Sequence, residues 1–351
     1  MRSTVKTSLL LAVLCGGCAE DQLPPILWET ERAIIGSELD GFELCHDDFV
    51  MLDEHVALVE DMLGVERSSK FEVYFYDLDG LPCGVSPQGC YRREADQIHM
   101  ATWEGLDHEI VHAVARDESF PSLFWEEGTA DALRWVGTIG DGEGVLENAT
   151  KTRPEDLDYL NARHFVRWVI ETHGLESLRR IISGATEKEA TGSSLEELAA
   201  MHRESVPYAY PALEPYVCPF DALPELEAGV WQEEFDLGCD ERGATGVGGV
   251  GGVSVVRTID LEPGRYRLLQ QGGSFTALLG CQLTPNDAPL PEMFHGAAFN
   301  EAEMSRKAPP TYYPAEEEHI LDVTRGGRIR VTVAGEAQGR FVGSVEFARI
   351  E

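Results

Sequence analysis

The sequence predicts an α+β chain in two parts, a mixed helix-and-sheet unit followed by an all-β sandwich-like unit. Three observations carry this. Apolar residues recur at helical spacing through much of the first 200 positions, as in Phe49, Leu52, Val56, Val59 and Leu63. Short alternating segments lie between those helices and read as a small mixed or antiparallel sheet. Beyond a stretch marked by Pro207, Pro211, Pro215, Pro219 and Pro224, the chain turns to short alternating segments separated by glycine-rich turns. The resulting division is a signal over 1–18, a tether over 19–40, a mixed unit over 41–205, a proline-rich linker over 206–224 and a sandwich over 225–351.

The elements follow in order. His46 to Leu63 is a helix closed by Gly64, and Phe71 to Tyr76 alternates as a strand. Glu29 to Ile35 and Gly41 to Leu44 yield no assignment. Gln97 to Ala101 is a second strand just ahead of a helix carrying His108 and His112. Ser119 and Pro121 read as the start of the next helix, which reaches Val136 and is followed by a Gly-rich loop over 137–144. Tyr159 to His173, Leu175 to Ile182 and Ser194 to Met201 continue the helical half, the last capped by Ser193 or Ser194. In the sandwich the strands are Val253 to Ile259, Arg265 to Gln270, Phe275 to Leu279, His319 to Val323, Arg328 to Val333 and Phe341 to Ala348, with turns at Glu262-Pro263-Gly264 and Arg325-Gly326-Gly327. Gly243 to Gly252 lacks the Gly-Lys-Ser/Thr ending of a phosphate loop and reads as flexible.

The N-terminus opens with Arg2 and Lys6, then an apolar run from Leu9 to Leu14, then Cys15-Gly16-Gly17-Cys18. A basic region, a short apolar core and small residues before a cleavage point describe an export signal. Cys18 directly after two glycines resembles the lipidated first residue of a bacterial lipoprotein, with ordinary cleavage a few residues later as the alternative. The expected location is the cell envelope, held by lipid, and Ala19 after the cysteine leans toward an outer membrane. The apolar run falls well short of the ~20 residues that cross a bilayer. With Cys15 removed and Cys18 acylated, Cys45, Cys83, Cys90, Cys218, Cys239 and Cys281 remain, an even number suited to disulfides in an exported chain. Cys83 and Cys90 bracket a turn-rich loop and form the most natural pair.

The formal charge of −34, from 62 acidic against 28 basic residues, argues against nucleic acid, which needs basic patches, and disfavours docking on anionic lipid. It describes a solvated acidic surface.

The chemistry concentrates in His108-Glu109-Ile110-Val111-His112 and, farther on, Glu127 in Glu126-Glu127-Gly128-Thr129-Ala130-Asp131. Residues i and i+4 of a helix share a face, so two imidazoles can bind one ion, with Glu109 beside them to take a proton from a water the ion activates. Two histidines leave a tetrahedral zinc one protein ligand short of the usual three, and a carboxylate on the next helix completes the set. Glu127 stands where that carboxylate is needed. Asp131, one turn on, is placed to accept the second N–H of a ligating histidine.

This pattern resembles the gluzincins, the thermolysin-like and aminopeptidase-like zinc metallopeptidases, over residues 40 to 200. The resemblance implies a zincin-like domain, one Zn2+ on His108, His112 and Glu127, Glu109 as general base and Asp131 as orienter. It also implies a Tyr or His that stabilises the oxyanion, for which Tyr159 and His164 are the candidates. In such proteins the strand before the first ligand helix is an edge that pairs with extended substrate, a role that falls here to Gln97 to Ala101. His99 on that strand is read as a plain strand histidine. The ligand spacing is shorter than in the best-known members and, with Phe124-Trp125 ahead of the second motif, is more similar to compact bacterial peptidase-MA-like proteins. The expected activity is hydrolysis of peptide bonds in a peptide or protein. Two alternatives stay open: a surface binding protein that keeps the scaffold without catalysis, and a zinc hydrolase of a non-peptide amide.

Overall fold

The computed structural model describes residues 23–41, 43–84, 88–103, 105–134, 139–140, 144–205, 208–209, 213–214, 220–246, 252–281, 311–323, 326–335 and 340–350. Cys15, Cys18 and Cys218 lie outside these residues, as does most of the proline-rich stretch.

The chain is mixed α+β, a helical unit with its own sheet followed by a sandwich of antiparallel strands. The first sheet contains β1 (Ile26–Glu29), β2 (Ala33–Ser37), β3 (Phe71–Phe75), β4 (Gly89–Arg92) and β5 (Gln97–Met100), in the order β1-β2-β3-β5-β4. The inner strands β2, β3 and β5 run parallel, and both edges are antiparallel to their neighbours. Two sequence expectations need correction here. The tether expected over 19–40 contains β1 and β2, and Ala33 and Ile35 are fully buried in the core. Two turn-separated strands too short for a clear period left no alternation to read. The strand Gln97–Met100 is also not an edge. It lies between β3 and β4, so β4 is the edge on that side of the sheet.

Helix α1 (His46–Leu63) lies where the periodicity predicts it, burying Leu52, Val56, Val59, Met62 and Leu63. Gly64 ends it at φ +71, and its N–H returns to the carbonyls of Asp61 and Glu60. A left-handed residue at that place favours glycine. Then come α2 (Leu106–Val114), α3 (Leu123–Ala132), α4 (Val145–Asn148), α5 (Tyr159–His173), α6 (Leu175–Ile182), α7 (Glu187–Thr191) and α8 (Leu195–Ser205). Helix α3 starts at Leu123 with Ser122 as its N-cap, two residues after Pro121. Ser194 caps α8, and the Glu197 carboxylate accepts the Ser194 N–H at 2.8 Å. Phe124, Trp125, Phe165 and Trp168 pack between α3 and α5 with ring centroids 5.6–6.1 Å apart.

The two-residue strands β6 (Ile139–Gly140) and β7 (Tyr208–Ala209) pair with each other, and β8 (Leu213–Glu214) joins the sandwich. Of the expected linker, the described residues are therefore strand or lie against the sandwich, where Phe220 and Leu223 are buried. The sandwich has two sheets. One has the order β16-β13-β18-β10-β9, from β9 (Glu225–Glu227), β10 (Val230–Gly238), β13 (Gly264–Gln271), β16 (Glu318–Val323) and β18 (Arg340–Arg349). The other has the order β11-β12-β17-β14-β15, from β11 (Ala244–Gly246), β12 (Val253–Leu261), β14 (Phe275–Cys281), β15 (Thr311–Pro314) and β17 (Gly327–Ala334). Both contribute to one core, with Phe235, Tyr266, Val345 and Phe347 facing Val255, Ile259, Ile329 and Val331. Strand β10, whose burial does not alternate cleanly, was not legible in the sequence.

Cys83 is bonded to Cys90, as the loop suggested, and Cys45 to Cys239 across 194 positions of sequence. Among the described residues no helix is long and apolar enough to cross a membrane.

Candidate metal centre

Local sequence places the ligands. Gly105 sits at φ +92 as the N-cap that leads the chain into α2. Leu106, Ile110, Val111, Ala113 and Val114 then bury one side of α2, leaving His108 and His112 together on the side that meets α3. Helix α3 is drawn close to α5 at Gly128, where a Cβ would lie 2.8 Å from Val166 Cγ2 and 3.1 Å from the Ala162 carbonyl oxygen. Only glycine allows that approach, and Glu127, one position before it, lies against the two histidines.

His108 Nε2 lies 3.0 Å from His112 Nε2 and 3.1 Å from Glu127 Oε2, and His112 Nε2 lies 3.5 Å from the same oxygen. Zinc bonds of about 2.0–2.1 Å at tetrahedral angles separate neighbouring ligand atoms by about 3.3 Å. Two imidazole nitrogens and a carboxylate oxygen at this spacing fit such an ion. All three side chains keep about an eighth of their surface open, so the group is enclosed yet reachable.

The surroundings hold the ligands in place. His108 Nδ1 donates to Asp131 Oδ1 at 2.8 Å, which aims Nε2 at the ligand group. Asp131 in turn accepts from Arg134 Nη1 at 3.2 Å, and Arg134 Nε reaches Asp107 Oδ2 at 3.4 Å. Asp107 and Arg134 escaped the sequence reading, although the i, i+3 spacing of Asp131 and Arg134 was the available signal. Arg163 on α5 is buried near Asp131, and its Nε has no hydrogen-bond partner among the described residues. Burial pushes that guanidinium down, while the Asp131 charge opposes the shift.

Burial works against a charge on His108, but its bonds to Asp131 and Glu127 and the charge of Glu109 outweigh it and raise the imidazole to about 10. Burial likewise opposes ionisation of Glu127, and its bonds to His108 and His112 hold it well below the usual carboxylate range. These contacts favour an imidazolium at His108 beside the carboxylates of Asp131 and Glu127. A ligating histidine must give up that proton. Zinc loading near neutral pH is therefore expected to release about one proton per ion, with affinity rising as pH climbs toward the imidazole value. Calorimetry in buffers of different ionisation heat measures this, and loading without proton release would contradict it.

Glu109 is half-buried beside His108, and no hydrogen bond or ion pair engages its carboxylate among the described residues. Tyr159, at the start of α5, has its ring centroid 6.3 Å from that of His108. Burial, then the carboxylates of Glu127, Asp131 and Glu109, raises its phenol, which keeps its proton as a donor. His164 is directed elsewhere. It is fully buried, with Nδ1 2.7 Å from His202 Nε2 on α8. Five positions past Tyr159, it stands well around the helix from the metal side. His99 is buried and bonded to the Tyr76 hydroxyl at 2.9 Å, the plain strand histidine that was expected.

The structure brings His108, Glu109, His112, Glu127, Asp131 and Tyr159 together in one place and sets His164 apart. No family model, curated protein or solved structure matches the chain.

Proposed function

We propose that the chain is an exported zinc metallopeptidase of gluzincin type, held to the cell envelope by lipid at Cys18. The observation that supports this best is the spacing of the three ligand atoms, with Glu109 alongside and unengaged among the described residues. Bound zinc supplies Lewis acidity at a carbonyl oxygen and brings the pKa of a water to about 7.

The protein's own groups account for the remaining steps. Glu109 accepts the proton of the attacking water and passes it to the leaving amine. Tyr159, held protonated, donates to the oxygen that gains charge as the tetrahedral intermediate forms. Asp131 keeps His108 in the tautomer that presents Nε2. The antiparallel edge β4 offers main-chain groups along which an extended peptide adds as a further strand. Cys90 within β4 is tied to Cys83, which anchors that edge.

The test is an unbiased peptide library incubated with the zinc-loaded protein, with products read by mass spectrometry. Cleavage that stops on chelation and returns on zinc addition is expected. A zinc-bound protein that cleaves nothing in the library would overturn the peptidase reading in favour of a binding role.

A further inference from the structure

The helical unit and the sandwich are joined at the N-terminus of α1. Its N-cap, Cys45, is bonded to Cys239, and the His46 N–H donates to the Cys239 carbonyl at 2.8 Å. Asp47 Oδ1 accepts the Gly243 N–H at 3.0 Å. Asp48 Oδ2 accepts two N–H groups at 2.7 Å, from Cys45 in its own unit and from Gly246 in the sandwich. The approach is close enough to need glycine, since a Cβ on Gly246 would lie 2.9 Å from the Glu43 carbonyl oxygen and 3.0 Å from Asp48 Oδ2. The Gly243–Gly246 segment, read from sequence as part of a flexible loop, is thus a docking element.

Two carboxylates, each 4% exposed, are enclosed in this contact. The charged groups around them are few. His46 lies beside Asp47 on the exposed side, its Nδ1 2.8 Å from Asp47 Oδ1. Arg330 on β17 is the cation that acts on Asp48, while its own Nε donates to Thr332 and its guanidinium lies over Phe220. Arg257, behind Gly243, is forked onto Glu233. Burial pushes Arg330 down to about 10 and the Asp48 charge opposes that shift, so Arg330 is the cation that answers Asp48 across the contact.

We infer that the contact between α1 and the sandwich is a pH-sensitive latch, shut in acid and slackened at neutral pH and above, with Cys45–Cys239 limiting how far the two units part. Burial, with the Asp47 charge adding to it and the Gly246 and Cys45 N–H groups and Arg330 only partly offsetting it, pushes Asp48 up from 3.8 to about 7. The docked state therefore holds a proton that the undocked state releases. The stabilisation linked to that proton is complete below about pH 4, declines as pH rises, and is lost above about pH 7. The two main-chain bonds do not require the charge, because a protonated carboxyl still accepts through its carbonyl oxygen. Helix α1 also packs on α2, and His55 Nε2 lies 3.4 Å from the Asp107 carbonyl, next to His108. Slackening at the latch therefore occurs on the helix that backs the metal group, and it is expected whether or not that group is catalytic.

Amide hydrogen exchange of the exported chain, both disulfides intact, tests the inference at about pH 5 and about pH 8 after correction for intrinsic exchange. Protection of segments 43–48 and 239–246 is expected to fall about tenfold or more at the higher pH, with the β12 and β17 core unchanged. In Asp48→Asn, which keeps an acceptor oxygen and cannot ionise, protection should match at both pH values. Arg330→Met, which removes the opposing cation, should move the wild-type transition to higher pH. Equal protection of the wild type at both pH values would overturn the inference, as would a fall in Asp48→Asn equal to that of the wild type.

Discussion

Glu109→Gln is expected to lower kcat/KM for peptide hydrolysis by about a thousandfold while zinc content and thermal stability stay at wild-type levels. The side chains match in size, so packing on α2 is preserved. The amide cannot take the proton of the attacking water, which removes a contribution of about 10²- to 10⁴-fold. Zinc should stay because Glu109 is not one of the three grouped ligand atoms. Stability should stay because no partner of Glu109 is lost among the described residues. Steady-state kinetics beside elemental analysis separates these claims. Hydrolysis within a few-fold of wild type would remove Glu109 from the reaction.

Asp131→Asn is expected to weaken zinc binding about 10- to 100-fold. Asp131 accepts the His108 Nδ1 proton and balances Arg134 and Arg163 behind it. Asparagine can still accept one hydrogen bond but carries no charge. The His108 ring then loses basicity and its fixed orientation, and Arg163 loses the carboxylate nearest its charge. Competition against a chromophoric chelator measures the loss. Wild-type affinity in the variant would mean that His108 is oriented by other contacts.

The site was more legible than the scaffold that holds it. His108, His112 and Glu109 share a helix, so their mutual placement follows from the period alone. Glu127 and Asp131 needed only the assumption that the next helix packs on the first, whereas the close approach of that helix to α5 at Gly128 carried no such signal. Tyr159 and His164 lie on one helix only five positions apart, and the sequence offered no way to choose between them. The structure separates them because α8 presents His202 to His164, whereas Tyr159 faces His108. The edge role was misassigned to Gln97–Met100 because β4 is four residues long and follows a turn-rich loop, leaving too little alternation to register. The N-terminal strands were missed for the same reason. In the sandwich, the strands over 253–281 and 318–349 were found from alternation between turn signals, whereas β9, β10, β11 and β15 were not. The Cys45–Cys239 bond joins residues 194 positions apart and depends on how the two units dock, which no local pattern encodes.

The account rests on a metal held by His108, His112 and Glu127. Elemental analysis of the soluble protein beginning after Cys18, with Glu127→Ala measured in parallel, tests it most directly. About one zinc per chain in the parent and a clear loss in the variant is the predicted result. A parent that takes up no zinc after loading, or a variant that retains it in full, would contradict the ligand set.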